Sequence, residues 1–274
     1  MTTLLVRNLI DLGSSLVVLS LAILALHSIE RVTARFVSHR LGWNAVLLTG
    51  WIGVPLHEIS HLAVALLFGH RIVAWKLFEP DPSTGTLGYV WHAYRRRNLW
   101  QLSGNFFVGI APLIAGGLAL LLFVTWMAPD VSAVSLSPAR AATIPMGSTA
   151  WLGSATWVSY AGHLLKAMLA WVAAIWRART IWLPLQIYFC IAIASHLAPS
   201  PRDLASAVPA LPVVLALSSL LAWVLSIAGH ASASAPLIIP AAGLLVIMVV
   251  LFQGLYVAAI GVIGTLRPHR PTRP

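Results

Sequence analysis

Two histidines and a glutamate stand at a spacing that could bind and use a metal ion. The chain reads His57-Glu58-Ile59-Ser60-His61 within a strongly apolar stretch. On an α-helix, positions i and i+4 lie on one face, so His57 and His61 can direct ring nitrogens at one tetrahedral metal. This is the H-E-x-x-H arrangement of zinc hydrolases, in which the glutamate is the general base. The spacing therefore predicts a Zn²⁺ site with His57 and His61 as ligands and Glu58 as the catalytic residue.

The apolar surroundings of this motif add weight to the metal-site interpretation. A charged side chain in the middle of a membrane-spanning segment costs about 2–3 kcal/mol or more, and normally has a partner or a water-filled cavity. The alternative is that His57 and His61 are hydrogen-bonded core histidines with no metal between them. Both interpretations place the motif inside a helix of a membrane protein.

The composition excludes an ordinary water-soluble domain. Of the 274 residues, 59% are hydrophobic and only 9% are charged, and the mean hydropathy is +0.88. These values indicate a polytopic membrane protein whose first partner is the lipid bilayer. The net charge of +10 comes largely from arginines in short clusters beside apolar stretches, which is typical of the positive-inside rule and not of nucleic-acid binding. The single Cys190 excludes a disulfide within the chain and a cysteine metal cluster.

We expect an all-α polytopic membrane protein that forms a single membrane-embedded domain over residues 1–274. Segments of about 20 apolar residues are long enough to cross a bilayer. Six such spans are predicted, at about Leu4–His27, Asn44–Gly69, Gln101–Met127, Ile181–Leu197, Leu204–Ala228 and Leu237–Thr265. The sequence gives no indication of the oligomeric state.

Three connecting segments have their own signals. Two stretches rich in β-branched and aromatic residues flank a Pro- and Gly-containing turn, which predicts a β-hairpin over about residues 71–94. Residues 129–149 are rich in Ser, Ala and Pro and predict an exposed loop. The stretch Trp151–Trp176 is nearly long enough to span but carries His163 and Lys166. We interpret it as an interfacial helix before the fourth span, and a crossing segment is the alternative.

A catalytic zinc needs a third protein ligand and one open position. Among the 7 acidic residues, Asp203 lies beside a later span with no charged partner in an obvious loop. If Trp151–Trp176 lies on the surface, Asp203 is on the hairpin side of the membrane, within reach of the metal. Ser200, Pro201 and Asp203 also match a capping box at the start of the following helix. Capping and metal ligation are compatible roles for Asp203.

The motif, the hairpin and Asp203 together resemble the site-2 protease class of intramembrane zinc metalloproteases, over about residues 44–210. The resemblance implies a six-helix bundle in which His57, His61 and Asp203 bind the zinc. The second motif of that family reads N-x-x-P-x-P-x-L-D-G, and residues 196–205 keep both prolines and the aspartate. Here His196 replaces the asparagine, the aspartate comes one position early, and no glycine follows it. These departures indicate a divergent branch.

Two more residues are candidates for contacts with substrate or with the metal ligands. His196 could be a hydrogen-bond donor to a ligand, a substrate contact, a fourth metal ligand or a plain helix-end histidine. Asn105 in the third span could contact substrate or support a ligand. As a fourth ligand, His196 would close the site and make it structural.

The predicted function is that of a membrane-embedded zinc metallopeptidase, which hydrolyses peptide bonds of membrane-associated protein or peptide substrates. The alternative is a non-proteolytic membrane scaffold or transporter-like protein with a structural or pathway metal site. We expect a multi-pass protein of a bacterial inner membrane. A weak asymmetry of Lys and Arg between the two sides of the six-span arrangement places both termini in the cytoplasm.

Overall fold

Helices dominate the described part of the chain. The structure, a computed structural model, describes residues 2–127, 181–227 and 235–266, with single residues or pairs between 162 and 177. The helices are α1 (Thr2–Leu41), α2 (Trp43–Leu67), α3 (Leu99–Met127), α4 (Leu183–Ala194), α5 (Pro201–Ala207), α6 (Leu211–Ile227) and α7 (Ala235–Leu266). A short 3₁₀ turn, Val208–Ala210, links α5 to α6. The predicted loop at 129–149 and most of the predicted interfacial helix at 151–176 lie outside the described residues.

Four apolar segments of the described chain are long enough to cross a membrane. They are Leu16–Leu41, Trp43–Leu67, Leu99–Trp126 and Pro201–Leu221. Two shorter apolar helices are Leu183–Ala194 and Met248–Val262. These helices indicate an integral membrane protein, as the composition predicted.

The first helix is longer than the predicted first span. That span was expected to end at about His27, but α1 continues to Leu41. Its second half carries polar residues, which end the hydropathy signal without ending the helix, because no proline or glycine lies between His27 and Gly42. Gly42 has φ 81°, a conformation that glycine adopts without steric cost, and α2 begins one residue later.

The helix in the fourth predicted span is shorter than expected. Instead of a helix over Ile181–Leu197, α4 ends at Ala194, and α5 starts at Pro201, before the predicted Leu204. Helical geometry is disfavoured for residues that precede a proline, and both Pro199 and Pro201 follow closely. With 12 residues, α4 is about 18 Å long, which is shorter than the hydrocarbon core of about 30 Å.

The predicted hairpin is confirmed. Strands β1 (Arg71–Lys76) and β2 (Tyr89–Ala93) pair antiparallel, from Arg71↔Ala93 to Lys76↔Tyr89, with an irregularity between Ile72 and Ala74. In the turn, the Asp81 carboxylate accepts hydrogen bonds from the Ser83 backbone and from hydroxyl groups, and Gly85 has φ 72°. The hairpin follows α2 directly, so it lies at the carboxyl end of that helix.

Helix α3 runs antiparallel to α2. His61 of α2 lies beside Val108 of α3, whereas Gly104, one turn earlier on α3, lies against Phe68 at the end of α2. The amino end of α3 is therefore at the hairpin, and its carboxyl end is at the opposite end of the bundle.

Helix α4 runs parallel to α2. The Tyr188 hydroxyl donates to the Leu48 carbonyl, and four residues later the Ala192 carbonyl lies against Gly53. The carboxyl end of α4 consequently points in the same direction as that of α2. This direction carries residues 195–200 to the middle of α2, where the H-E-x-x-H motif lies.

Helix α7 packs parallel to α1. Glu30 and Gln253 line one small cavity, and further along both helices Val37 packs with Ile260. The main apolar core joins α1, α3, α4 and α7, with Leu26, Leu120 and Phe252 each at most 1% exposed. This core fixes the helices that position the site.

Candidate metal centre

The two histidines of the motif face each other on one side of α2. Their Nε2 atoms are 3.1 Å apart, as expected of side chains at i and i+4. The His61 residue is only 5% exposed, so its ring lies inside the helix bundle. The helix continues through Pro55, two residues before His57, and keeps both histidines in register.

Backbone carbonyls from two other parts of the chain hold the outer nitrogens of these rings. The Nδ1 of His57 is 2.8 Å from the His196 carbonyl oxygen, and the Nδ1 of His61 is 2.8 Å from the Val108 carbonyl oxygen. A carbonyl only accepts hydrogen bonds, so each Nδ1 carries a proton and donates. In the neutral rings, both Nε2 atoms are then lone-pair acceptors.

Asp203 completes the group from the amino end of α5. Its Oδ1 is 3.4 Å from Nε2 of His61, and its Oδ2 is 3.7 Å from Nε2 of His57. The predicted capping box is also present, because Oδ2 accepts from the Ser200 backbone N–H at 2.7 Å and Ser200 Oγ accepts from the Asp203 N–H at 3.2 Å. The cap holds the carboxylate in place and leaves Oδ1 directed at the histidines.

The donor set and its spacing fit a metal ion. Zinc bonds of about 2.0–2.1 Å in tetrahedral geometry place ligand atoms about 3.3 Å apart, and the three contacts measure 3.1, 3.4 and 3.7 Å. Two imidazole lone pairs and a carboxylate converge on one point, which is unfavourable unless a cation or extra protons lie between them. Within the described residues, His57, His61 and Asp203 form a group that could hold a metal ion.

Glu58 lies next to this group under the hairpin. The residue is 7% exposed, and a Cβ added to Gly88 would come within 3.0 Å of the Glu58 Cγ and 2.9 Å of the Val54 side chain. Gly88 immediately precedes β2, so its lack of a side chain allows the hairpin to approach α2. The hairpin thus covers the glutamate side chain.

His196 contributes its backbone to the site. Its carbonyl binds His57, whereas its Nε2 is 3.2 Å from the Thr49 hydroxyl, two helical turns before the motif. The ring packs against Gly53, where an added Cβ would lie 2.7 Å from it. Among the described residues, the metal-holding group does not include His196.

Asn105 lies on α3 one turn before Val108. It is 1% exposed, and its Oδ1 has no hydrogen-bond partner among the described residues. The expectation that it contacts substrate or supports a ligand stays a prediction.

A second histidine pair lies at the base of the hairpin. Nε2 of His70 donates to the Gln101 carbonyl at 2.7 Å, and its Nδ1 is 3.0 Å from Nδ1 of His92. The two rings stack with centroids 4.9 Å apart. Burial, together with the neighbouring His70, lowers the pKa of His92 to about 4, so this ring is neutral at pH 7.

Sequence reasoning missed the contacts that hold the ligands. The Val108 carbonyl carries no side-chain signal, and the neighbouring Gly109 is the residue at which α3 and α5 come close. A Cβ on Gly109 would come within 2.7 Å of the Asp203 carbonyl oxygen and of the Ala207 side chain. Glycines inside apolar helices are the one available signal, because they mark close approach of two backbones.

Comparisons of this chain with protein families, with curated proteins and with solved structures find no match.

Proposed function

We propose that the chain is a membrane-embedded zinc metallopeptidase that hydrolyses peptide bonds of membrane-associated protein or peptide substrates. One observation carries the proposal: the His57, His61 and Asp203 acceptor atoms converge beside the buried carboxyl group of Glu58. Buried acceptor atoms that converge on one point are stabilised by a cation. The adjacent carboxyl group of Glu58 supplies the base that hydrolysis needs. Zinc is the proposed ion because two imidazoles and one carboxylate are a frequent catalytic zinc set.

Each residue has a distinct role in this proposal. Zinc bound by the three ligands would lower the pKa of a coordinated water to about 7 and polarise the scissile carbonyl. Glu58 would accept the proton of the attacking water and deliver it to the leaving amine nitrogen. The His196 and Val108 carbonyls keep the ligand rings in the tautomer that presents Nε2.

The orientation of His196 supports catalysis over a structural metal. A structural zinc has four protein ligands, whereas a catalytic one keeps a position for water. The His196 ring is bound to Thr49, and within the described residues the group comprises three ligands. A scaffold with a closed metal site would need a further ligand.

The hairpin supports a peptide substrate. A peptide bond inside a helix is shielded by its neighbours, so the substrate must be extended before it is cut. A two-stranded sheet has unpaired strand edges, which can bind an extended chain by strand addition. Gly88 places the start of β2 against Glu58, so a strand added at the hairpin edge would lie close to the proposed base.

The described end of α3 and the start of α4 lie on one side of the bundle. Helix α3 ends, and α4 begins, at the end of the bundle away from the hairpin.

We further propose that the two ends of the described chain lie on opposite sides of the membrane. Helix α7 packs parallel to α1, so α1 starts and α7 ends at opposite ends of the bundle. This counts against the expected placement of both termini on the cytoplasmic side.

The test is a comparison of Glu58→Gln with the unmodified protein, purified in detergent. We expect the variant to keep one zinc per chain and to lose cleavage of casein and of single-span membrane peptides, followed by mass spectrometry. Loss of a general base costs about 10²–10⁴-fold in rate. Glu79→Gln, at an exposed carboxylate in the hairpin turn, is the matched control. Undiminished cleavage by Glu58→Gln, or no zinc in the unmodified protein, would contradict the proposal.

A further inference from the structure

The chain between α4 and α5 is irregular backbone inside the helix bundle. Leu197 and Ala198 are 2% and 7% exposed, and Pro199 is fully buried. Unpaired backbone groups at membrane depth cost several kcal/mol each, so such a break is tolerated only where protein groups satisfy it. The side chains that satisfy this break are therefore part of the architecture of the metal site.

Side chains of three helices bind this segment. Gln253 of α7 donates its amide Nε2–H to the Ala194 carbonyl at 2.9 Å, and the Glu30 carboxyl group of α1 interacts with the Ala198 N–H. Thr49 of α2 is hydrogen-bonded to the His196 ring at 3.2 Å. Each contact fixes a different residue of the stretch from 194 to 198.

These side chains also line a small cavity. Glu30, Thr49, His196 and Gln253 line a space of about 20 Å³ between α1, α2, α7 and the irregular segment. Two of their atoms, Oε2 of Glu30 and Oε1 of Gln253, are buried oxygens with no partner among the described residues. Gln253 is only 2% exposed, so bulk water does not reach it.

A single water molecule matches this cavity in size and in chemistry. A cavity holds one water when it offers at least about 10–15 Å³ and two or more polar partners. Water both donates and accepts hydrogen bonds, so it can pair with each of the two unpartnered oxygens. One water can therefore bridge Glu30 and Gln253 and satisfy both.

We propose that Glu30, Gln253 and one bound water form a polar anchor that positions the segment from Ala194 to Ala198. The His196 carbonyl is part of this segment, so the anchor also sets the ring orientation of His57. Glu30 and Gln253 are thus positioning residues that act on a metal ligand from outside the metal site. This step rests on the proposed function, whereas the binding of the segment by the anchor does not.

Hydrogen exchange of the full-length, metal-free protein in detergent tests the anchor by itself. Glu30→Ala and Gln253→Ala should each speed amide exchange in the peptide that contains residues 194–200, by about tenfold or more, and leave β1 and β2 unchanged. Glu79→Ala removes an exposed carboxylate as the matched control. Glu30→Gln keeps an acceptor for the Ala198 N–H and should restore slow exchange. Unchanged exchange in both alanine variants would overturn the anchor, as would a Gln variant as defective as the Ala variant.

Co²⁺ binding tests the link from the anchor to His57. Loss of groups that orient metal ligands lowers metal affinity by about 10–100-fold, and we expect about tenfold for Glu30→Ala with an altered visible absorption spectrum of bound Co²⁺. Glu30→Gln should bind Co²⁺ as the unmodified protein does. Faster exchange with unchanged Co²⁺ affinity would overturn the link. If the unmodified protein binds no Co²⁺, the proposed function fails, and the exchange result still decides whether the anchor exists.

Discussion

Two histidine pairs in this chain have ring nitrogens at nearly the same distance, but the two pairs differ in whether a cation is required between them. In the metal-site pair, His57 and His61, the Nε2 atoms are 3.1 Å apart, and in the hairpin pair, His70 and His92, the Nδ1 atoms are 3.0 Å apart. In the metal-site pair both outer nitrogens donate to carbonyls, so two lone pairs and Asp203 converge. In the hairpin pair, the His70 outer nitrogen is the one held by a carbonyl of the described residues.

The hairpin pair can satisfy itself without a cation. Because Nε2 of His70 donates to the Gln101 carbonyl, its Nδ1 is an acceptor, and Nδ1–H of His92 can donate to it. The two rings then form one neutral hydrogen bond and a stacked contact. Whether a histidine pair requires a metal therefore depends on the partners of the outer nitrogens and not on the distance between the rings.

The largest difference between the pairs should appear in metal binding. His61→Ala removes one of three ligands, so we expect zinc to fall from about one per chain to near zero after mild chelation. His70→Ala removes a ring from the hairpin pair and should keep its zinc. Elemental analysis of both variants and of the unmodified protein measures this difference. Equal zinc loss in the two variants would show that the two pairs do not differ in metal binding.

Asp203→Asn should have the next largest effect. The amide can still accept from the Ser200 N–H, so the cap of α5 survives, but the anionic ligand is lost. We expect zinc affinity to fall by at least tenfold, with little change in helix content. Competition with a chelator of known affinity gives the dissociation constant, and Asp81→Asn, in the exposed turn of the hairpin, is the control. Unchanged affinity would reduce Asp203 to a capping residue.

Helix α4 packs closely against α2 at Gly53, and this contact positions His196, whose carbonyl binds His57 of the metal-site pair. A Cβ on Gly53 would lie 2.2 Å from the Ala192 carbonyl oxygen, so Gly53→Ala must displace α4 and with it His196. Overpacking of this kind costs about 1–3 kcal/mol. Thermal unfolding in detergent should show a lower midpoint, while Gly254→Ala, which meets nothing within 4 Å, should keep or raise it. Equal midpoints for the two variants would show that the contact is not tight.

The smallest effect concerns the pH response of the hairpin pair. The folded-state pKa of His92, about 4, lies below the ordinary value of 6.5, so between these pH values the unfolded chain binds more protons. The free energy of unfolding therefore falls as the pH falls from about 6.5 towards 4, by at most about 2 kcal/mol at pH 5 relative to pH 7. In metal-free protein, His92→Asn should lose less stability between pH 7 and pH 5. An identical loss would show that His92 does not contribute.

The sequence predicted the side chains of the metal group but not the backbone that orients them. The i, i+4 spacing placed His57 and His61 on one face, and the scarcity of acidic residues singled out Asp203. The capping box was also readable, because Ser200, Pro201 and Asp203 have fixed spacing within it. Backbone carbonyls carry no residue signature, so the contacts of His196 and Val108 with the ligand rings could not be read from residue types.

Helix ends were less predictable than helix existence. Hydropathy placed the end of the first span near His27, because polar residues follow, yet α1 continues to the glycine at position 42. The same scale extended the fourth span to Leu197, whereas α4 ends at Ala194, ahead of Pro199 and Pro201. Apolar composition reports membrane compatibility, whereas prolines and glycines decide where the helical backbone stops.

X-ray absorption spectroscopy of zinc bound to the full-length protein tests the central claim most directly. We expect two imidazole nitrogens and two oxygens at about 2.0–2.1 Å, from His57, His61, Asp203 and one water. Three imidazoles would mean that His196 has turned into the site and closed it, which would contradict a catalytic centre. A protein that retains no zinc after purification would contradict the metal site itself.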